Sequence, residues 1–426
     1  MSSTKLFLIR FIFVLSFMSG ALQLIGISPS KTEMLIYLAT LTLFALTLNK
    51  KYRKSKVSLS GISFLIIFFS FVFISILFNI SNLYGYIRLL LQFLIGPLFL
   101  YSLINFKSGI ELMKKLRPIL IFLIVIQFFF VLYKFLFVGI QESYLIGAMS
   151  NSAGSLSVIF PLFLSCLIIP NMILHFRFKH ILLLMLFSFF SLVGDKRAMV
   201  VFFPLLLIIG YIIVNKAYYN RFLNYRKVMI IFLLGFFILY IGVRALPTLN
   251  PQNKFWGEFD YEYALKYISD YNEYGDEHKS GREYSRVNAP IYFLQELYDS
   301  GIEYLAFGHG PILVNSKTFN IVSDDSNTKI TVGYQGRAGI NYLMVQLGLL
   351  ALIAYLSYYY YLFILIYKRS SGKNTEKISV INYSVMIMFF VWLLDFIFYS
   401  QTSIDSLPIV TGFHLFIAVA LSNVKE

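Results

Sequence analysis

Lys50-Lys51-Tyr52-Arg53-Lys54-Ser55-Lys56 is followed almost at once by Leu59-Ser60-Gly61-Ile62-Ser63-Phe64-Leu65-Ile66-Ile67-Phe68-Phe69-Ser70-Phe71-Val72-Phe73-Ile74-Ser75-Ile76-Leu77-Phe78. The first stretch is dense in cations; the second carries no charge. As a helix rising 1.5 Å per residue, a stretch of roughly 20 residues covers about 30 Å, the hydrocarbon thickness of a bilayer. It is apolar on every side rather than along one stripe, which places it in lipid or at the heart of a bundle. The same pattern recurs at Ile119–Val138, Ile181–Val193 and Val228–Val243, with short charged segments between the runs.

The composition agrees with that reading. Of 426 residues, 58% are hydrophobic and only 13% charged, about half the charged share of a soluble domain. Mean hydropathy is +0.73. Tyrosines cluster at the ends of apolar runs (Tyr52, Tyr84, Tyr101, Tyr218, Tyr219, Tyr367), where an amphipathic ring suits the headgroup level. The single cysteine, Cys166, lies inside an apolar run and reads as a small buried hydrophobe. The net charge of +15 is spread over short connecting segments. That is the signature of membrane topology rather than of a nucleic-acid surface.

Spans are expected near 6–27, 33–48, 57–78, 86–105, 118–138, 153–170, 180–194, 198–214, 228–246, 339–367, 378–399 and 407–422, about twelve helices in all. The first has no convincing small-residue cleavage pattern and reads as a retained helix. Alternate connections then divide by charge. Lys50–Lys56, Lys107–Arg117, Arg177–Lys179, Lys216–Lys227 and Lys368–Lys377 form the basic set. In the other set, the short members carry only Lys31 and the pair Lys196-Arg197. The positive-inside rule puts both termini in the cytoplasm and the long segment 247–338 outside. The chain divides accordingly into helices over 1–246, an outward loop domain over 247–338 and helices over 339–426. The fold class is an all-α polytopic membrane protein.

A loop of that length between packed spans is functional or disordered. Apolar residues Ile291, Leu294 and Tyr298 recur at helical spacing over 288–300, which favours a folded cap. The loop carries the cationic cluster His278-Lys279-Ser280-Gly281-Arg282-Glu283, with Arg286 close behind and Arg337 just before the tenth span. Lys196-Arg197 belongs to the same face. Arginine makes bidentate phosphate contacts and keeps its charge when desolvated, so these points suit a pyrophosphate group. Each also fits the plainer role of a solvated loop charge or a snorkelling anchor. Arg88 and Gln92, one turn apart, can line a groove; Arg88 equally suits a helix-end anchor. Asp395 is costly in lipid and is expected to face the bundle interior in a structural role, with a proton path as the alternative. His309, between two glycines, is a catalytic candidate by residue type or plain turn chemistry. No P-loop, His-Glu-x-x-His motif or Cys/His metal spacing is present in the sequence.

The turn Gly194-Asp195-Lys196-Arg197-Ala198, the stretch Ser280-Gly281-Arg282 leading to Leu305-Ala306-Phe307-Gly308-His309-Gly310, and the run Asn341–Ala351 around Gly348 stand in a distinctive order. In order, spacing and side, the sequence resembles the O-antigen polymerase and ligase superfamily of bacterial membrane glycosyltransferases. The resemblance implies a GT-C-like membrane enzyme of the bacterial inner membrane that needs no metal or other cofactor. Its donor and acceptor would be polyprenyl-pyrophosphate-linked oligosaccharides, with a chain-length regulator and membrane lipids as further partners. The family's essential arginines map to Arg197 and Arg282, with Lys196, Arg88, Arg286 and Arg337 as further substrate contacts. Glu283, Asp195 and His309 are the candidates for a base. The ligases carry a His about ten residues before the helix glycine; here Arg337-Ala338 stands there, which favours polymerase over ligase. A flippase of the same lipid-linked sugars is the rival from another class, and Asp395 and Arg88 are few intramembrane charges for one.

Overall fold

The computed structural model describes residues 3–48, 58–78, 83–104, 109–137, 147–149, 154–193, 196–219, 225–273, 289–310, 319–322, 329–332, 338–370 and 376–422. It is overwhelmingly helical. α1 (Ser3–Leu24), α2 (Pro29–Leu48), α3 (Ser58–Phe78), α4 (Leu83–Ile104), α5 (Gly109–Phe137), α6 (Leu156–Leu174), α7 (Phe178–Val193), α8 (Ala198–Val214) and α9 (Tyr225–Ala245) precede the long loop. After it come α13 (Gly339–Ser370), α14 (Glu376–Leu394) with a wide π turn at Asp395–Tyr399, the short α15 (Thr402–Asp405) and α16 (Leu407–Ser422). Every expected apolar segment is a helix. Among the described residues, ten are long and apolar enough to cross a membrane; Phe178–Leu192 and Leu407–Ser422 are apolar but shorter.

The described part of the loop segment forms regular structure. It holds a 3-10 turn at Pro247–Leu249, α10 (Tyr261–Glu273), α11 (Ala289–Ser300) and α12 (Ile302–Phe307). It also holds a hairpin of β1 (Phe319–Val322) and β2 (Lys329–Val332), antiparallel with Phe319 opposite Val332. α11 is the helix expected over 288–300, but its buried face is Ala289, Phe293 and Leu297, while Ile291, Leu294 and Tyr298, the residues whose spacing marked it, are exposed. α10 was not legible in a stretch dominated by tyrosines and acids; among its described side chains Ala264 is the buried one.

Packing joins the two ends of the sequence. α3 lies chiefly against α13, α4 against α16, and α6 against α7, α14 and α8. In α6, 83% of the apolar stretch is buried, against 17% in α5. The first is therefore the centre of the bundle and the second its rim. Phe122, Phe129, Phe73 and Phe232 stay exposed on the rim, a pattern that a lipid surround makes favourable. Without water to expel, such helices associate through close packing. Gly242 on α9 shows this: a Cβ there would come within 2.5 Å of Val200 on α8. Cys166 is fully buried on α6, as expected.

The helix ends fall into two groups. At one, Arg10 donates to the carbonyl of Lys115 at 3.0 Å and Arg369 to that of Leu421 at 2.5 Å. At the other, Ala21 donates to Ala148 at 3.0 Å, Gly339 to Ser400 at 3.1 Å, and the Ser155 and Thr402 hydroxyls meet at 2.6 Å. The second is the loop end, and the candidate site residues described below gather there.

Candidate functional site

α13 is not one helix. Gly348 has φ 78° and ψ 177°, an extended left-handed conformation that is essentially restricted to glycine. The break frees carbonyls that a continuous helix would use internally, and inside a membrane such groups need new partners. The loop supplies them: His309 N–H donates to Val345 O at 2.8 Å and Gly310 N–H to Gln346 O at 3.1 Å. Gly308, at the end of α12, has φ 72° and ψ 179°. A Cβ there would lie 2.5 Å from the backbone of Gln346, and one on Gly348 would collide with the Ala306 carbonyl. The two glycine motifs quoted from the sequence are thus halves of one interlock. Phe307 closes it by stacking on Phe78 at the end of α3, 5.3 Å between centroids.

His309 is held inside this interlock. Its ring stacks on Tyr304 at 4.6 Å, and its Nε2 is buried with no hydrogen-bond partner among the described residues. Desolvation pulls its pKa down, against a weaker upward pull from the Glu296 carboxylate. A neutral, packed imidazole is better placed to brace the turn than to exchange protons with a ligand.

Lys196 and Arg197 open α8. Lys196 N–H donates to Ser191 O at 3.2 Å, which ties the start of α8 back to the end of α7. Arg197 is half-buried. Its guanidinium hydrogen-bonds the Tyr267 hydroxyl of α10 and lies 4.8 Å from that ring's centroid. A loop helix therefore orients this cation, and Tyr267 had no distinguishing signal in sequence. Arg244, at the end of α9, is spent on scaffolding: it donates to Gly257 O at 2.9 Å and lies over Trp256 at 4.8 Å.

Arg88 and Gln92 lie on α4 as expected, but with partners the sequence did not suggest. Arg88 pairs with Glu33 of α2 at 3.9 Å. Gln92 Oε1 accepts from the Tyr342 hydroxyl of α13 at 3.3 Å. Tyr342 is also within electrostatic reach of Arg88 and of Asp405 on α15. Asp405 keeps an open surface although α4, α6, α13 and α16 all pack against α15. Desolvation first, then repulsion from Asp395, pushes its carboxyl up to about 7, while a hydrogen bond from Gln401 pulls the other way.

Asp395 itself is fully buried. Its carboxylate accepts from Ser400 Oγ and from Ser403 N–H, both at 2.5 Å. Those bonds hold the turn between the π segment and α15, the structural role expected of it. Among the described residues, no three His, Cys, Asp or Glu side chains converge as a metal set. Arg282, Glu283, Arg286 and Arg337, with Asp195, His278 and Lys279, lie outside the described residues. No protein-family model matches this sequence, and no curated protein matches it either.

Proposed function

We propose that this chain is a membrane glycosyltransferase that polymerises polyprenyl-pyrophosphate-linked oligosaccharide repeats into a surface polysaccharide. In this reading twelve helices cross the bacterial cytoplasmic membrane, both termini are cytoplasmic, and the loop domain lies outside over the substrate. The observation that carries it is the position of Arg197. It is a half-buried cation at the loop end of a membrane helix, oriented by Tyr267 of the loop. Arg88 stands at the same end. Breaking the bond between the donor's anomeric carbon and the pyrophosphate leaves negative charge on the leaving group. Fixed cations in a water-poor site stabilise that charge as it develops. In this reading Arg197, with Lys196, Arg282, Arg286 and Arg337, holds the pyrophosphate, and the bundle holds the lipid tail.

The glycan profile of a strain lacking the protein tests the proposal. Single lipid-linked repeats accumulating at the outer face are the expected result. Long lipid-linked chains without transfer would identify a ligase instead, and repeats retained at the cytoplasmic face would identify a flippase.

A further inference from the structure

The polar side chains at the loop end of α2, α4 and α13, taken together as a cleft, are not among those assigned above to the pyrophosphate. Elements remote in sequence assemble it: α2 supplies Glu33 and Tyr37, α4 Arg88 and Gln92, α13 Tyr342, and α15 Asp405. Tyr37 senses the charges of Glu33, Arg88 and Asp405 together, so they share one locality. The lining is mixed rather than acidic. It has an ion pair at 3.9 Å, a phenol donating to an amide at 3.3 Å, and an amide on the remaining carboxylate. Arg88 is 67% exposed and Glu33 35% exposed, so the pair is reachable from outside. A pyrophosphate would meet two carboxylates here and be repelled. A neutral, hydroxyl-rich ligand would find acceptors, donors and aromatic edges in one place.

We propose that Asp405 is the proton acceptor for the attacking hydroxyl of the acceptor sugar, which Glu33, Arg88, Gln92 and Tyr342 hold in this cleft. The proposal rests on the polymerase reading. In the step, the sugar oxygen bonds to the donor's anomeric carbon while its proton passes to the Asp405 carboxylate. The bond from that carbon to the pyrophosphate oxygen breaks, and its electron pair leaves with the pyrophosphate. Asp405 then returns the proton to water. Among the described residues, the charged and titratable groups around Asp405 are Asp395, Glu33, Arg88, Tyr37 and Tyr342. Desolvation first, and then the Asp395 and Glu33 carboxylates, raise the proton affinity of Asp405 toward that of a base at neutral pH.

The test uses the full-length protein in nanodiscs, supplied with lipid-linked repeats extracted from the deletion strain. Elongation is followed from pH 5.5 to 8.5 for wild type, Asp405→Asn and Asp405→Glu, each normalised to folded protein. The expected result is a loss of about 100-fold or more in Asp405→Asn, with Asp405→Glu partly active on a displaced pH profile. Wild-type rate and an unchanged profile in Asp405→Asn would overturn the role of Asp405 and leave the polymerase reading standing. A wild-type protein inert on these repeats would overturn both.

Discussion

His309 donates its backbone N–H to the carbonyl of Val345 at 2.8 Å, taking the bond that an unbroken α13 would give to Leu349. The loop is therefore built into a membrane helix and does not merely rest on it. Gly308→Ala and Gly348→Ala should each cost more than about 1–3 kcal/mol, the strain of a non-glycine residue in this conformation, because a backbone clash adds to it. A clear fall in the melting temperature of the detergent-solubilised protein is expected for both. Melting at the wild-type temperature in either variant would show that the interlock does not form.

Arg197 and Tyr267 allow stability and activity to be separated. Arg197→Ala should abolish long chains while the folded yield stays near wild type, since an exposed-to-half-buried cation–π contact contributes only about 0.5–1 kcal/mol. Arg197→Lys should recover little, because an ammonium cannot reproduce the guanidinium's fork. Tyr267→Phe keeps the ring and loses the hydroxyl, so a partial shortening of chains is expected. Gel profiles of the polysaccharide read all three.

The Glu33–Arg88 pair is long and largely solvated. Removing either partner should change stability by no more than about 1 kcal/mol. Glu33→Gln and Arg88→Gln are thus expected to melt close to wild type while weakening acceptor use, visible as a raised KM for lipid-linked repeats. A large loss of stability would recast the pair as structural.

Asp405 should make stability depend on pH in an unusual direction for a carboxylate. Its pKa in the folded protein is raised to about 7, above the unfolded value near 3.9. The folded state therefore binds the proton more tightly, so the stabilisation is complete at acid pH and is lost as pH rises through about 7. Asp405→Asn should remove that dependence and melt above wild type at pH 8, by roughly 2–4 °C given water access to the side chain. Thermal scans at pH 5.5 and pH 8 decide it; equal melting of wild type and variant at pH 8 would count against the crowded cleft.

The helices were legible because an uncharged run of bilayer length has one physical solution, and the Lys/Arg alternation located its ends. Residues that act through a partner were harder to see. Arg88 and Gln92 stood out as polar groups on an apolar helix, yet Glu33 stands at the start of a span and Asp405 in a short connection, places where acids are unremarkable. Only folding brings them together. Asp405 carried one usable signal, an acid between two closely spaced apolar runs. Gly308 and Gly348 were visible as motifs, but a glycine does not announce which backbone will press against it. Tyr267 was hidden among the many tyrosines of the loop.

The packing order has a consequence for how the chain is made. α3 and α4 enter the membrane early in synthesis, yet their main companions α13 and α16 follow the loop, as does α14, which packs on α6 beside α7. α6 is mostly surrounded by protein in the finished bundle, so while the ribosome is still translating the loop it must tolerate lipid on faces that will later be covered. The bundle closes only when the last helices arrive. A ribosome stalled in the loop domain would leave α3 and α4 without their chief neighbours and α6 without α14, a natural substrate for membrane quality control.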